Sequence, residues 1–294
     1  MPSTTSKTRP THSWKFDAIG TRWSVETHEP LPLSVKHEVN EYIEQFDLTY
    51  SRFRADSIVA QLSKSPGTYS LHGFRTGLAQ FYRDLYDATD GAMSPLVGTS
   101  LVSAGYDMNY SLSPTSPMSA TEWNASFEWN DDFIRSDQPV SVDIGAAGKG
   151  YLVDRIGEIL SMVGVETYVI DASGDIMHRG DTNVVIGLEN PLDPTSVVGT
   201  YPLHGASLCA SAINRRSWGN GWHHMVDART GKPVNDVLAT WVIADTTMHA
   251  DGFATALFFS HANRLLEICK FEYVRLFANG KIECSRDFVG ELYI

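Results

Sequence analysis

The chain has 294 residues, a formal net charge of −12, 43% hydrophobic residues and 20% charged ones. That length holds a substantial core in one large domain or two small ones. The negative charge disfavours nonspecific binding of nucleic acid or anionic lipid, and no apolar run approaches the ~20 residues needed to span a bilayer.

Residues 1–13, MPSTTSKTRPTHS, are polar and hold no hydrophobic signal core. They are expected to form a disordered tail on a cytoplasmic protein, with 14–294 as a single domain. Phe16 to Val25 has β character interrupted by Gly20. Residues 33–50 predict an amphipathic helix, with Val35, Val39, Tyr42, Phe46 and Tyr50 at helical spacing. A second helix is predicted from about His72 to Thr89, with Phe74, Leu78, Phe81 and Leu85 on one face. Asp90-Gly91 ends it and Pro95 follows. Residues 107–140, rich in Ser, Thr and Pro, read as a surface excursion.

Val140 to Ile144 predicts a short strand, and 145–150 (GAAGKG) a small-residue turn. A helix follows, with Leu152, Val153, Ile156, Ile159, Leu160 and Val163 on its apolar face and Gly164 as its cap. Tyr168 to Ile170 is the next strand, and 171–175 (DASGD) a second polar turn. Trp222–Val226 and Leu238–Ala244 read as strands flanking the turn 227–231. Residues 250–258 read as a helix start. Strands and helices mix without strict alternation, so the fold class is α+β. Cys209, Cys269 and Cys284 show no C-x-x-C spacing and no histidine cluster. They read as buried free thiols, not as a disulfide framework or zinc site.

Three features carry candidate chemistry. The turn at 145–150 lets backbone approach an anion closely, although a tight strand-to-helix connection needs the same residues. Asp251 and Thr255 are four apart on a predicted helix and share a face. Their hard oxygens suit Mg²⁺, but Asp251 alone could be a helix cap. His223 and His224 precede an Asp-x-Arg-Thr-Gly turn. Adjacent strand residues face opposite ways, so the two histidines cannot do the same job.

In combination and order these motifs resemble the ApbE family of FAD:protein FMN transferases. The family's D-L/I-G-x-x-x-K-G-Y-x-V-D appears as Asp143-Ile144-Gly145 and Lys149-Gly150-Tyr151-Leu152-Val153-Asp154. Its N-x-G-G-D-I appears as Asp171 to Ile176, its H-x-x-D-P-R-T-G-x-P as His224 to Pro233, and its A-D-A-x-A-T-A-L-F as Ala250 to Phe258. Weaker matches are Ile19-Gly20-Thr21, Ser51-Arg52-Phe53 and Asp90-Gly91-Ala92-Met93-Ser94-Pro95, where Ser94 replaces a family carboxylate. Ala210-Ser211-Ala212 stands where the family has T-S-G.

The resemblance implies an ApbE-like, T-fold-like α+β architecture with an FAD cleft between subdomains. It implies that FAD is the substrate. Mg²⁺ would be held by Asp251, Thr255 and a backbone carbonyl, assigned to Gly148. The implied FAD contacts are Ile19, Gly20, Thr21, Ala92, Met93, Ser94, Asp143, Lys149, Asp154, Asp175, Ser211 and His224. His224 would be the general base, and Asp227 would either orient it or cap the turn. Asp154 and Asp175 would anchor sugar hydroxyls or stabilise the turns. The partner would be an acceptor protein with a D-x-x-S/T-G-A-S/T-like tag. An FAD pyrophosphatase and a non-catalytic FAD-binding protein are the alternatives.

Overall fold

The computed structural model describes residues 10–71, 77–124, 126–219 and 221–293. In chain order its main elements are β1 (His12–Ala18), β2 (Thr21–Thr27), α1 (Leu33–Tyr50), α2 (Leu78–Ala88), α3 (Gly148–Met162), β3 (Tyr168–Asp171) and β4 (Asp175–Arg179). Then come β5 (Val184–Asn190), β6 (Asp193–Leu203), β7 (Ser207–Ala212), β8 (Val237–Ala244), α4 (Thr247–Ala256), β9 (Glu272–Phe277) and β10 (Ile282–Cys284). An eight-stranded sheet runs β1-β2-β3-β4-β7-β8-β9-β10, each neighbouring pair antiparallel. No described helix is long and apolar enough to cross a membrane.

Both faces of this sheet are covered, which explains its apolar strands. On one face Trp23, Val25, Ile170, Met177, Cys209 and Val242 meet the apolar sides of α1–α4. On the other, Leu208, Trp241, Ile243 and Val274 meet Leu188, Tyr201 and Leu203 of the β5–β6 hairpin. Helix α1 buries Val35, Val39, Phe46 and Tyr50, and α3 buries Leu152, Val153, Ile156, Ile159 and Leu160. These are the periodic positions. Val163, assigned to the same face, is 48% exposed because α3 has already ended. Gly164 follows at φ 81°, and Val165 N–H bonds back to the Leu160 carbonyl.

Several local expectations need correction. His12 and Ser13 belong to β1, paired with Thr27 and Glu26, so ordered structure starts inside the expected tail. Residues 72–76 of the expected second helix lie outside the described residues, and α2 starts at Leu78. Residues 127–129 and 133–136 of the expected excursion form short strands. Val140–Ile144 is not a strand. Val140, Val142 and Ile144 are buried in alternation, but the segment lies against the 95–98 turn, with Asp143 N–H bonded to the Pro95 carbonyl. Trp222–Val226 is split at His224 into two two-residue strands. All three cysteines are free, but only Cys209 is buried and Cys284 is exposed.

Candidate active site

Helices α3 and α4 cross at Gly150. A Cβ there would lie 2.3 Å from the Thr247 carbonyl oxygen and 2.8 Å from Asp251 Cβ, so only glycine allows this approach. The Gly150 N–H donates to Asp251 Oδ2 at 3.0 Å. Among the described residues no N–H, that of Gly150 included, bonds to the Ala146 carbonyl four residues back. Gly148, the expected carbonyl ligand, is the first residue of α3, where carbonyls are committed to the helical ladder.

Asp251 is not a helix cap. Thr246 caps α4, accepting from His249 N–H at 3.2 Å, and Asp251 sits buried one turn further on. Burial pushes its carboxyl well above the usual range, and nearby Asp175 adds to the rise. Thr255 follows one turn later, with its hydroxyl 3.4 Å from that of Ser211 on β7. Lys149 Nζ contacts Asp175 Oδ2 at 2.5 Å and donates to the Ala172 carbonyl at 2.9 Å. Burial disfavours the Lys149 charge, but Asp175 and Asp251 outweigh burial and hold it protonated. One lysine thus faces two buried carboxylates.

These residues fit a divalent cation. Asp251, Thr255, Ser211 and the Ala146 carbonyl offer hard oxygens at a site with excess negative charge. Among the described residues, no three His, Cys, Asp or Glu side chains converge. The donor set is therefore mostly neutral oxygen, which suits Mg²⁺ retaining part of its water shell.

Asp143 begins the turn on the other side. Burial alone would raise its carboxyl, but Arg52 beside it and the Gly145 N–H it accepts hold it below the ordinary range. Arg52 Nε lies 2.5 Å from Asp143 Oδ2, and its guanidinium sits over the rings of Phe53, at 4.1 Å, and Tyr106, at 4.9 Å. Tyr106 in turn stacks on Trp218. Arg216 also faces both Asp143 and Tyr106. Neither Arg52 nor Arg216 has a role that follows from the sequence motifs alone. Arg52 was visible within Ser51-Arg52-Phe53, but its partner is 91 residues away. Arg216 carried no distinguishing signal.

His224 is half-buried in the bend between two short strands, with Nδ1 3.4 Å from the Arg216 carbonyl. Burial lowers its pKa to about 4, and the Arg216 charge lowers it further in the same direction. It is therefore neutral near pH 7. His223 is buried, with Nε2 3.3 Å from Asn235 Oδ1 and Nδ1 accepting from Met225 N–H. Asp227 does not orient His224. It binds the Arg229 backbone N–H and guanidinium, capping its own turn.

The remaining candidates divide. Ala92, Met93 and Ser94 are buried and join the site loops: Ala92 accepts from Ala228 N–H at 2.9 Å, while Ser94 Oγ caps the next turn at Leu96. At the position of the family carboxylate this chain thus has a residue that caps the following turn. Asp154 accepts from Thr247 and Met248 N–H at 2.7 and 2.8 Å, so it anchors the start of α4. Burial raises its pKa to about 6 despite those bonds. Ile19, Gly20 and Thr21 form the β1–β2 tip. Ile19 has φ 42°, and the tip joins the 171–175 turn through Ser173 Oγ bonded to the Arg22 carbonyl. A groove of about 500 Å³ beside this tip, lined by Lys15, Arg22, Asp171 and Ser173 among others, holds none of the chemistry above.

A sequence model of the ApbE family matches residues 19–277. The chain belongs to the ApbE family. An FAD:protein FMN transferase of Klebsiella pneumoniae is 32% identical over 124 residues, 40% of this chain and 39% of that protein. One of Treponema pallidum is 25% identical over 281 residues, 82% of this chain and 76% of that protein. The chain spans less than half of the Klebsiella relative and of its Salmonella typhimurium counterpart, 39% and 44% respectively. The ApbE protein of Thermotoga maritima superposes with a TM-score of 0.80 at 22% identity, covering 94% of this chain and 97% of that one. The flavin transferase ApbE of Vibrio cholerae gives 0.78 at 18%, covering 96% and 99%. At these identities the superpositions establish the fold, the ApbE α+β architecture.

Proposed function

We propose that the chain is a Mg²⁺-dependent transferase that moves FMN from FAD to a Ser or Thr hydroxyl of an acceptor protein and releases AMP. What supports this reading is the 143–150 turn of an ApbE-family chain, which binds Asp251 through the Gly150 N–H at one end and has Asp143 within electrostatic reach of the neutral His224 at the other. Asp251, Thr255, Ser211 and the Ala146 carbonyl would hold the cation. Mg²⁺ bound there would neutralise the pyrophosphate and stabilise the leaving phosphate. Arg52 and Arg216 add positive charge beside Asp143, at the start of the turn.

With the Nδ1–H facing the Arg216 carbonyl, His224 Nε2 is free to accept a proton. The acceptor hydroxyl gives that proton to Nε2 as its oxygen bonds to the FMN-side phosphorus. The bond from that phosphorus to the bridging oxygen breaks, and AMP leaves with the oxygen and its electron pair. A phosphoester-linked flavin remains on the acceptor, expected to carry the D-x-x-S/T-G-A-S/T tag. Mass spectrometry of a tagged peptide incubated with protein, FAD and Mg²⁺ tests this. The peptide should gain one FMN phosphoryl group. FMN and AMP with unmodified peptide would mean a hydrolase, and unchanged FAD a binding protein. Either result refutes the proposal.

A further inference from the structure

One buried group beside the turn has no task in the mechanism above. Tyr82 lies in α2, whose rotation is fixed by contact with α4: a Cβ on Gly252 would come within 2.4 Å of the Phe81 ring. The Tyr82 ring packs on Trp129, 5.6 Å between centroids. The residue is 1% exposed, and its hydroxyl has no hydrogen-bond partner among the described residues. Such a hydroxyl costs about 1–3 kcal/mol relative to a satisfied one. Phenylalanine would fill the same space without that cost.

The surroundings of the hydroxyl indicate what it does. Its neighbours are the Asp143 and Asp251 carboxylates and the N–H groups of Ala146 and Ala147, which face its oxygen without closing a hydrogen bond. The Ala147 N–H makes only a long bond, 3.3 Å, to the Ile144 carbonyl. Carbonyl and N–H point in opposite directions in a trans peptide. An Ala147 N–H turned toward Tyr82 therefore turns the Ala146 carbonyl away from Tyr82. That carbonyl takes no hydrogen bond among the described residues, since the Gly150 N–H donates to Asp251.

We propose that Tyr82 is a positioning residue for the divalent cation: its hydroxyl oxygen receives the Ala146–Ala147 amides when the Ala146 carbonyl engages the metal. The inference rests on the cation reading given under Proposed function. A carbonyl bound to a cation is polarised, and the N–H of the same peptide becomes a stronger donor. The Tyr82 hydroxyl oxygen has no hydrogen-bond partner among the described residues, so its lone pairs are open to the Ala146 and Ala147 N–H groups.

The test is Mn²⁺ binding without FAD, followed by the paramagnetic resonance of free Mn²⁺, alongside melting of the metal-free protein. Tyr82→Phe should weaken Mn²⁺ binding about tenfold or more, the usual effect of losing a group that orients a ligand. Its metal-free melting temperature should be unchanged or higher. Tyr168→Phe is the control, because that hydroxyl donates to the Gly157 carbonyl at 3.0 Å at the far end of α3. It should melt earlier and bind Mn²⁺ normally. The inference fails if Tyr82→Phe binds Mn²⁺ within about twofold of the parent, or if both variants weaken binding equally. Asp251→Asn separates the two levels: if it abolishes binding while Tyr82→Phe does not, the cation site stands and Tyr82 has no part in it. A parent protein that binds no Mn²⁺ overturns both.

Discussion

Gly150→Ala perturbs the contact on which the whole site rests. The added methyl group would sit 2.3 Å from the Thr247 carbonyl oxygen, 2.7 Å from its carbon and 2.8 Å from Asp251 Cβ. None of these atoms is the end of a flexible side chain, so α3 and α4 must separate by roughly 1 Å to restore ordinary contact distances. Overpacking of this kind costs about 1–3 kcal/mol, and rigid backbone on the far side places it near 3. Alanine regains about 1 kcal/mol of helix propensity over glycine. The net loss is about 2 kcal/mol, a fall in melting temperature of about 4–8 °C for a domain of this size. The same displacement opens the 3.0 Å bond from Gly150 N–H to Asp251. The freed N–H then bonds to the Ala146 carbonyl, and metal affinity should drop at least tenfold. Calorimetric melting without metal and Mn²⁺ titration of the same sample measure both effects. A variant that melts within 1 °C of the parent and binds Mn²⁺ normally would refute the argument that this crossing sets the ligand geometry.

Three further outcomes follow from the geometry. His224→Ala should slow FMN transfer by ~10²–10⁴-fold with little change in melting, whereas His223→Ala should melt earlier, because it loses its bonds to Asn235 and Met225; early melting of His224→Ala with normal transfer by the folded fraction would place the base elsewhere. With a pKa of about 4, His224 is neutral above that value and lost as a base below it, so kcat/KM at saturating metal should stay flat from pH 7.5 down to 5.5. Arg216→Gln should move the acid limb to higher pH, and an acid limb already near pH 6.5 in the parent would contradict the assignment. Ile19→Asn should raise the melting temperature by a few degrees, since a β-branched residue at φ 42° stores ~1–3 kcal/mol and the half-buried side chain contributes about 1. Weaker FAD binding in the same variant would mark the strained tip as a ligand contact, and an unchanged or lower melting temperature would show that the turn is not strained.

What was legible in the sequence is what is local in the chain. The faces of α1 and α3 follow from a period of 3.6 because each helix has one core to face. Asp251 and Thr255 share a face for the same reason. The misreadings involve distant partners. Val140–Ile144 alternates like a strand, but a ladder needs a second strand, and the fold supplies only the 95–98 turn. Of the two roles open to Asp154, a sugar contact or a structural anchor, the second needs a partner 93 residues later in the chain, at the start of α4. The family pattern implies a carbonyl ligand in the glycine turn, assigned to Gly148, but Gly148 is already the first residue of α3. Among the described residues the unbonded carbonyl is that of Ala146, and the N–H four residues on donates instead to Asp251, 101 residues from Gly150.

The buried charges at the α3–α4 crossing make stability depend on the metal. Asp175 and Asp251 share Lys149 as their nearest cation, and burial raises the Asp251 carboxyl well above its ordinary value. A carboxyl raised in this way stabilises the fold while protonated, below its ordinary range, and loses that contribution as pH rises through the folded value. Near neutral pH the metal-free protein should therefore be held below its potential stability by a charge that serves the cation. Mg²⁺ at a hundred times its dissociation constant adds about 2.7 kcal/mol, roughly 5–11 °C in melting temperature for a chain of this size. Asp251→Asn keeps an oxygen for the Gly150 N–H and removes the excess charge. It should melt higher than the parent without metal, gain nothing from Mg²⁺, and transfer no FMN. Equal melting of the two metal-free proteins, or a full Mg²⁺ increment in the variant, would show that Asp251 is not the charged ligand and that the excess negative charge here is balanced in another way.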